Sequence, residues 1–168
     1  VLLGSHADVN ARAQGGGTPL IGAAGNNPNP EMLTLLLKAG ADANARAQGG
    51  RTPLAYAAAN NANPEVLTVL LEAGSDVNAG DMDGLTPLAH AAANNSDPEV
   101  VNSLLQAGAD VKARNKQGQS SLMLAASRNP NPEVVTVLLR AGAEVNARTE
   151  PGFTPLMYAA MECANPEV

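Results

Sequence analysis

A triplet recurs every 34 residues along the chain: Thr18-Pro19-Leu20, Thr52-Pro53-Leu54, Thr86-Pro87-Leu88, Ser120-Ser121-Leu122 and Thr154-Pro155-Leu156 stand in strict register. A fixed period of this length specifies a solenoid, in which each unit buries its apolar face only against its neighbours. Aligned on the triplet, complete units run over 13–46, 47–80, 81–114 and 115–148, with a partial unit at 1–12 and another at 149–168. The unbroken register predicts one elongated domain over 1–168 with no linker. Both ends fall within a unit and neither carries a polar capping repeat, so the expectation is the ordered part of a longer array with two open ends. Function in such a body belongs on a long shared surface rather than in a deep pocket.

Hydrophobic residues make up 45% of the chain, yet there are only one Phe, two Tyr and no Trp, so the core must be Leu, Val and Ala packed in thin layers. The net charge of -6 and the scarcity of stacking aromatics argue against nucleic acid as a partner, which requires clustered Lys and Arg. No apolar run approaches the roughly 18 residues of a membrane span, and no secretory leader opens the chain. The single cysteine, Cys163, permits no internal disulfide and fits a reducing compartment, with cytoplasm the expected location and localisation otherwise open. No His stands at an aligned position facing Cys163, so it reads as a small loop residue rather than a nucleophile.

Residues 81–114 illustrate one unit. Asp81-Met82-Asp83-Gly84-Leu85 is a turn, with Gly84 supplying the permissive backbone. Thr86 reads as an N-cap and Pro87 as the first helical residue, where a missing N–H costs nothing. Leu88, Ala91 and Ala92 form the buried stripe of a short helix, with His90, Ala93 and Asn94 on the far side. Asp97-Pro98-Glu99 caps and opens a second helix carrying Val100, Val101, Leu104 and Leu105, and Gly108 ends it as a left-handed C-cap. Asp110 to Arg114 is expected to run extended into the next turn. His6 takes the place of the cap glycines Gly40, Gly74, Gly108 and Gly142. That costs roughly 1 kcal/mol and predicts a looser first unit.

These features resemble the ankyrin repeat. Its motif Gly-x-Thr-Pro-Leu-x-x-Ala-Ala is matched by Gly50-Arg51-Thr52-Pro53-Leu54-Ala55-Tyr56-Ala57-Ala58, and its closing Leu-Leu-x-x-Gly-Ala-Asp-Val-Asn-Ala by Leu70-Leu71-Glu72-Ala73-Gly74-Ser75-Asp76-Val77-Asn78-Ala79. The resemblance covers the whole chain and implies an all-α solenoid of helix-turn-helix units joined by β-hairpin-like turns. The period is one residue longer than the family's usual, and Asn-Pro-Glu stands where Gly-His is more common, a regular variant resembling bacterial or idealised designed arrays. The family's Thr-Pro-Leu-His histidine is replaced by Ile21, Ala55, Ala89, Met123 and Met157, so locking between units must rest on other groups. Asn10, Asn44, Asn78 and Asn146, with Lys112 as the exception, are candidates for a side-chain ladder along the hairpins.

Catalytic and ligand-binding readings fail on spacing. Counting an EF-hand loop from Asp76 places Asp81 at its glycine position and Pro87 at its bidentate acid, so Asp76, Asn78, Asp81 and Asp83 form a polar turn and no metal is expected. Gly15-Gly16-Gly17 lacks the Lys-Ser/Thr pair of a phosphate loop. His6 and His90 lie far apart, and no Ser-His-acid set or facing carboxylate pair can assemble, so neither enzymatic activity nor a cofactor is expected.

The resemblance implies instead a scaffold that grips a partner protein through the concave surface of turns and first helices. The alternatives are an assembly module that stacks weakly end to end through its open faces, and the binding arm of a larger protein. Positions that differ between units while the scaffold repeats are the expected contacts: Arg51, Tyr56, Met82, Asp83, Leu85, His90, Lys116, Gln119, Leu124, Arg128, Phe153 and Tyr158, centred on Tyr56, Met82, Asp83, Leu85 and His90. Leu85, Leu124 and Met123 fit equally a place between units. Asn27, Asn61, Asn95 and Asn129 scarcely vary and read as structural. Arg12, Arg46, Arg114 and Arg148 form a ladder interrupted by Gly80, expected to be a solvated face neutralised by Asp8, Asp42, Asp76, Asp110 and Glu144.

Overall fold

The computed structural model describes residues 7–162. His6, Cys163 and the partial helix signals at Val1–Leu3 and Asn165–Val168 lie outside them. Nine helices alternate among the described residues: α1 (Pro19–Asn26), α2 (Pro30–Lys38), α3 (Pro53–Asn60), α4 (Glu65–Glu72), α5 (Pro87–Asn94), α6 (Pro98–Gln106), α7 (Ser121–Arg128), α8 (Pro132–Arg140) and α9 (Pro155–Glu162). Among the described residues strand pairing is limited to one antiparallel bridge, Arg114 with Ser120.

The helix starts follow from their caps. The hydroxyls of Thr18, Thr52, Thr86, Ser120 and Thr154 accept the N–H three residues on, and Asn29, Asn63, Asp97 and Asn131 do the same for the glutamate N–H that opens each second helix. Gly40, Gly74, Gly108 and Gly142 hold φ between 83° and 92°, the left-handed geometry that releases the chain from each second helix.

Two details differ from expectation. The stretch after Gly108 is not extended: Ala113 N–H bonds the Asp110 carbonyl and the Asp110 carboxylate takes the Lys112 N–H, closing a turn. The far side of helix α5 is exposed only at Asn94, for His90 and Ala93 are buried with Leu88, Ala91 and Ala92. Each first helix packs on the first helices before and after it, α5 between α3 and α7, so flanks that would face water on a lone helix face neighbours. One apolar core runs from Leu20 through Leu54, Leu88, Leu104 and Leu122 to Leu138 and Ala143.

Three ladders tie the units together. In the loops between helices, the Asn61 side chain donates to the Ala24 and Asn27 carbonyls of the preceding unit, Asn95 to Ala58 and Asn61, and Asn129 to Ala92 and Asn95, while each accepts an N–H of its own loop. In the hairpins, Asn10, Asn44 and Asn78 donate to Gly40, Gly74 and Gly108 and accept the N–H of Asp42, Asp76 and Asp110. Lys112 interrupts this row. At the turn tips, main-chain bonds run from Gln48 to Gly15, Met82 to Gly49 and Lys116 to Asp83, at 2.7 to 2.8 Å. The equivalent bond from Glu150 to Gln117 does not form. A Cβ on the turn glycine would stand 3.1 Å from the next tip's nitrogen at Gly16 and Gly50 but 3.8 Å at Gly118, so the fourth and fifth turns sit further apart.

The arginine row is a fourth tie rather than a neutralised face. Arg12 donates to the Arg46 carbonyl, Arg46 to Gly80 and Gly50, and Arg114 to Arg148 and Gly118. Only Arg114 meets one of the expected acids, Glu144 at 3.2 Å. Asp42, Asp76 and Asp110 spend a carboxylate oxygen on the N–H two residues on.

Ser121 stands where the other first helices begin with proline. Its hydroxyl is buried, 1% exposed as a residue, and has no hydrogen-bond partner. The preceding Ser120 holds φ -90° and ψ 165°, matching Thr52 before Pro53, so the backbone already suits proline. Ser121→Pro is expected to raise stability by about 1 kcal/mol, read as a higher urea midpoint with unchanged slope.

Candidate partner-binding surface

The expected contact residues fall into three groups by position. At the turn tips, Met82 is 65% exposed, and Asp83 and Lys116 are also open to solvent. Arg128 is exposed at the end of α7. Half-buried along the flank lie Arg51, Tyr56, Leu85, Gln119, Phe153 and Tyr158. His90 and Leu124, however, are 2% and 3% exposed. They cannot meet a partner directly in this conformation. The reason is the sandwiching of first helices, which places the middle residue of each helix against the preceding unit's turn.

His90 is the centre of the one ionic network on this flank. Its Nε2 stands 2.8 Å from Asp81 Oδ2, and its Nδ1 stands 3.0 Å from the Arg51 guanidinium. Arg51 can only donate, so Nδ1 accepts and the Nε2–H donates to Asp81: the ring is neutral and held in one tautomer. The other Asp81 oxygen accepts the N–H of Asp83 and of Leu85, which shapes the turn presenting Met82. Arg51 also lies over the Tyr56 ring, 5.0 Å from its centroid. Of the carboxylates weighed for calcium, Asp76 accepts the Asn78 N–H and Asp81 is engaged by two backbone amides and an imidazole.

Burial, reinforced by the Arg51 cation, pushes the His90 imidazole below its ordinary value, and the hydrogen bond and charge of Asp81 offset this only in part. Burial alone would raise the Asp81 carboxyl, but the Leu85 N–H, the His90 ring and the Asp83 N–H together hold it below its ordinary value. A histidine with a depressed folded pKa binds its proton more readily when unfolded, so its stabilisation is intact above about pH 6.5 and is lost as pH falls towards the folded value. Asp81 adds a second loss below about pH 4. Urea midpoints are therefore expected to fall between pH 7.5 and 5.5, and His90→Gln is expected to flatten that part of the profile.

The remaining pairs on the flank follow the same register. Leu85 packs with Leu124, Ala89 and Ala93, and Gln119 donates to the Tyr158 hydroxyl at 3.2 Å, with Phe153 against the Tyr158 ring at 5.8 Å. Tyr56 lies on Ile21, Ala45 and Ala47. Sequence comparison of the units had missed Asp81 and the fact that these variable positions face one another. The available signal was a spacing of 39 residues between Arg51 and His90 and between Gln119 and Tyr158.

Among the described residues no helix is long and apolar enough to cross a membrane. No curated protein matches the chain. The family model described as Ankyrin repeats (3 copies) matches residues 1–81 and again residues 88–168. Repeats of this family are generally protein–protein interaction modules and typically non-enzymatic scaffolds. With stacked helix pairs, glycine-turned tips and a matching family model over nearly its whole length, the chain belongs to the ankyrin-repeat proteins.

Proposed function

We propose that the chain is a binding protein, without catalytic activity, that holds a partner protein on the turn tips and the adjoining flank of the first helices, centred on Met82 and Asp83. The observation that carries this reading is Met82, a large apolar side chain left 65% exposed at the tip of a turn whose backbone is tied on both sides. Pinned tips present side chains at little entropic cost, and methionine is enriched at interface cores. Asp83 and Lys116 on adjacent tips supply charges of both signs around it, and Tyr56, Arg128 and Tyr158 extend the surface along the flank.

The test is a partner recovered from the source organism and titrated against variants of the full chain. Met82→Ala combined with Tyr56→Ala is expected to weaken binding by about 1 to 3 kcal/mol. A partner that binds this variant as well as the parent, but loses affinity with Met32→Ala and Leu35→Ala on α2, would place the interface on the second helices.

A further inference from the structure

Three positions flank each joint between units and engage one another differently from joint to joint: the residue after one unit's turn glycine, the first residue of the next unit's turn, and the middle residue of that unit's first helix. Between the second and third units these are Arg51, Asp81 and His90, an ionic set. Between the third and fourth they are Leu85 and Leu124 in one apolar cluster, with Asn115 turned back onto Gln119 of its own turn. Between the fourth and fifth they are Gln119 and Tyr158, a neutral hydrogen-bonded pair, with Thr149 bonding the Phe153 N–H of its own turn. Between the first and second, Gly17 offers no side chain and Tyr56 rests on Ile21 and Ala47, an apolar set.

We propose that these triplets are a recognition code between units, in which each joint accepts the unit whose turn and helix residues match it, so that the order of units along the array is specified. Most of the packing at the joints is shared. The caps, the Leu and Ala layers and the loop asparagines repeat, and by themselves would let any unit follow any other. The triplets do not repeat from one joint to the next: apolar, ionic, apolar, neutral polar. Pairing that skips a unit therefore mixes classes. Skipping the third unit sets the Arg51 guanidinium against Leu124, with neither the imidazole acceptor nor the Asp81 carboxylate. Skipping the fourth sets the Tyr158 hydroxyl against Leu85, without the Gln119 amide. Both of these wrong pairings leave a half-buried polar group without its partner, and that penalty gives the right pairing its selectivity. The same rule acts between two copies of the chain, where exchange of units out of order is a characteristic misassembly of repeat proteins.

The test is a pair of double-mutant cycles in the full chain, read by urea unfolding. In an Asp81→Asn background, Arg51→Leu and His90→Leu are made singly and together, the double variant reproducing the apolar set of Leu85 and Leu124. In an Asn115→Asp background, Leu85→Arg and Leu124→His are made singly and together, transplanting the ionic set one joint along. The code predicts that each single change lowers the folding equilibrium constant and that each completed set recovers at least about tenfold over the product of its two singles. Effects that simply multiply in both cycles would overturn it. The two cycles use different joints, so a chain too unstable to measure in one leaves the other to decide, and a transplanted set no better than its singles removes the claim that the sets are interchangeable codes.

Discussion

Shortening Leu104 to alanine is expected to cost about 3 to 5 kcal/mol of stability, the upper part of the range for a core leucine. Leu104 is fully buried, midway along the core that runs from Leu20 to Ala143. That core is only one layer thick, and the helices bounding it are tied at the loops, the hairpins and the turn tips, so the walls have little freedom to move in and refill the space. The cost depends on how well a site can collapse, and this one is braced. Because each unit touches only its neighbours, the loss falls at the middle of the array and is expected to separate it: hydrogen exchange should quicken in α5 and α6 before α1 and α2. Leu139→Ala, at an exposed site on α8, is expected to stay below about 1 kcal/mol in the same assay. Equal costs for the two would contradict the braced core.

The second large effect belongs to a polar residue. Asn129→Ala is expected to cost about 2 to 4 kcal/mol, since Asn129 is 1% exposed, donates to the Ala92 and Asn95 carbonyls at 2.9 and 2.8 Å and accepts the Asn131 N–H. Truncation strands groups on both sides of a joint, beyond the loss of the bonds themselves. Asn146→Ala, at an exposed asparagine, serves as the control and should change stability by less than about 0.5 kcal/mol. Urea midpoints of the two variants decide the matter, and equal shifts would mean that the loop ladder is ornament.

What the chain disclosed by itself was local. Thr86 and Asp97 announce helix starts because capping chemistry needs no distant partner, and Gly108 announces a helix end because only its backbone tolerates the left-handed turn. The hairpin ladder through Asn10, Asn44 and Asn78 was also legible, since a bond repeated at each unit must use a residue repeated at each unit. The flank was not. A helical wheel assigns one buried stripe, so His90 read as outward facing and Leu124 read equally as exposed or packed between units; it knows nothing of a second and third helix closing on either side. Variation between units likewise read as freedom at Arg51, Gln119 and Tyr158. Yet Arg51 faces His90 and Gln119 faces Tyr158, a relation visible only when positions 39 apart are compared.

The turn-tip ladder that ends at Lys116 has a mechanical meaning. A row of short main-chain bonds along one edge acts as an inextensible cord, so from Gly15 to Lys116 the array cannot change its curvature without first breaking a bond. Beyond Lys116 the cord is cut. Between Gln117 and Glu150 lies an open cleft of about 530 Å³ walled by Arg114, Lys116 and Pro151, and widening it sacrifices no bond between the tips. Pulled or bent, the molecule is expected to yield first at this cleft, a stiff arm of four units carrying its own wrist.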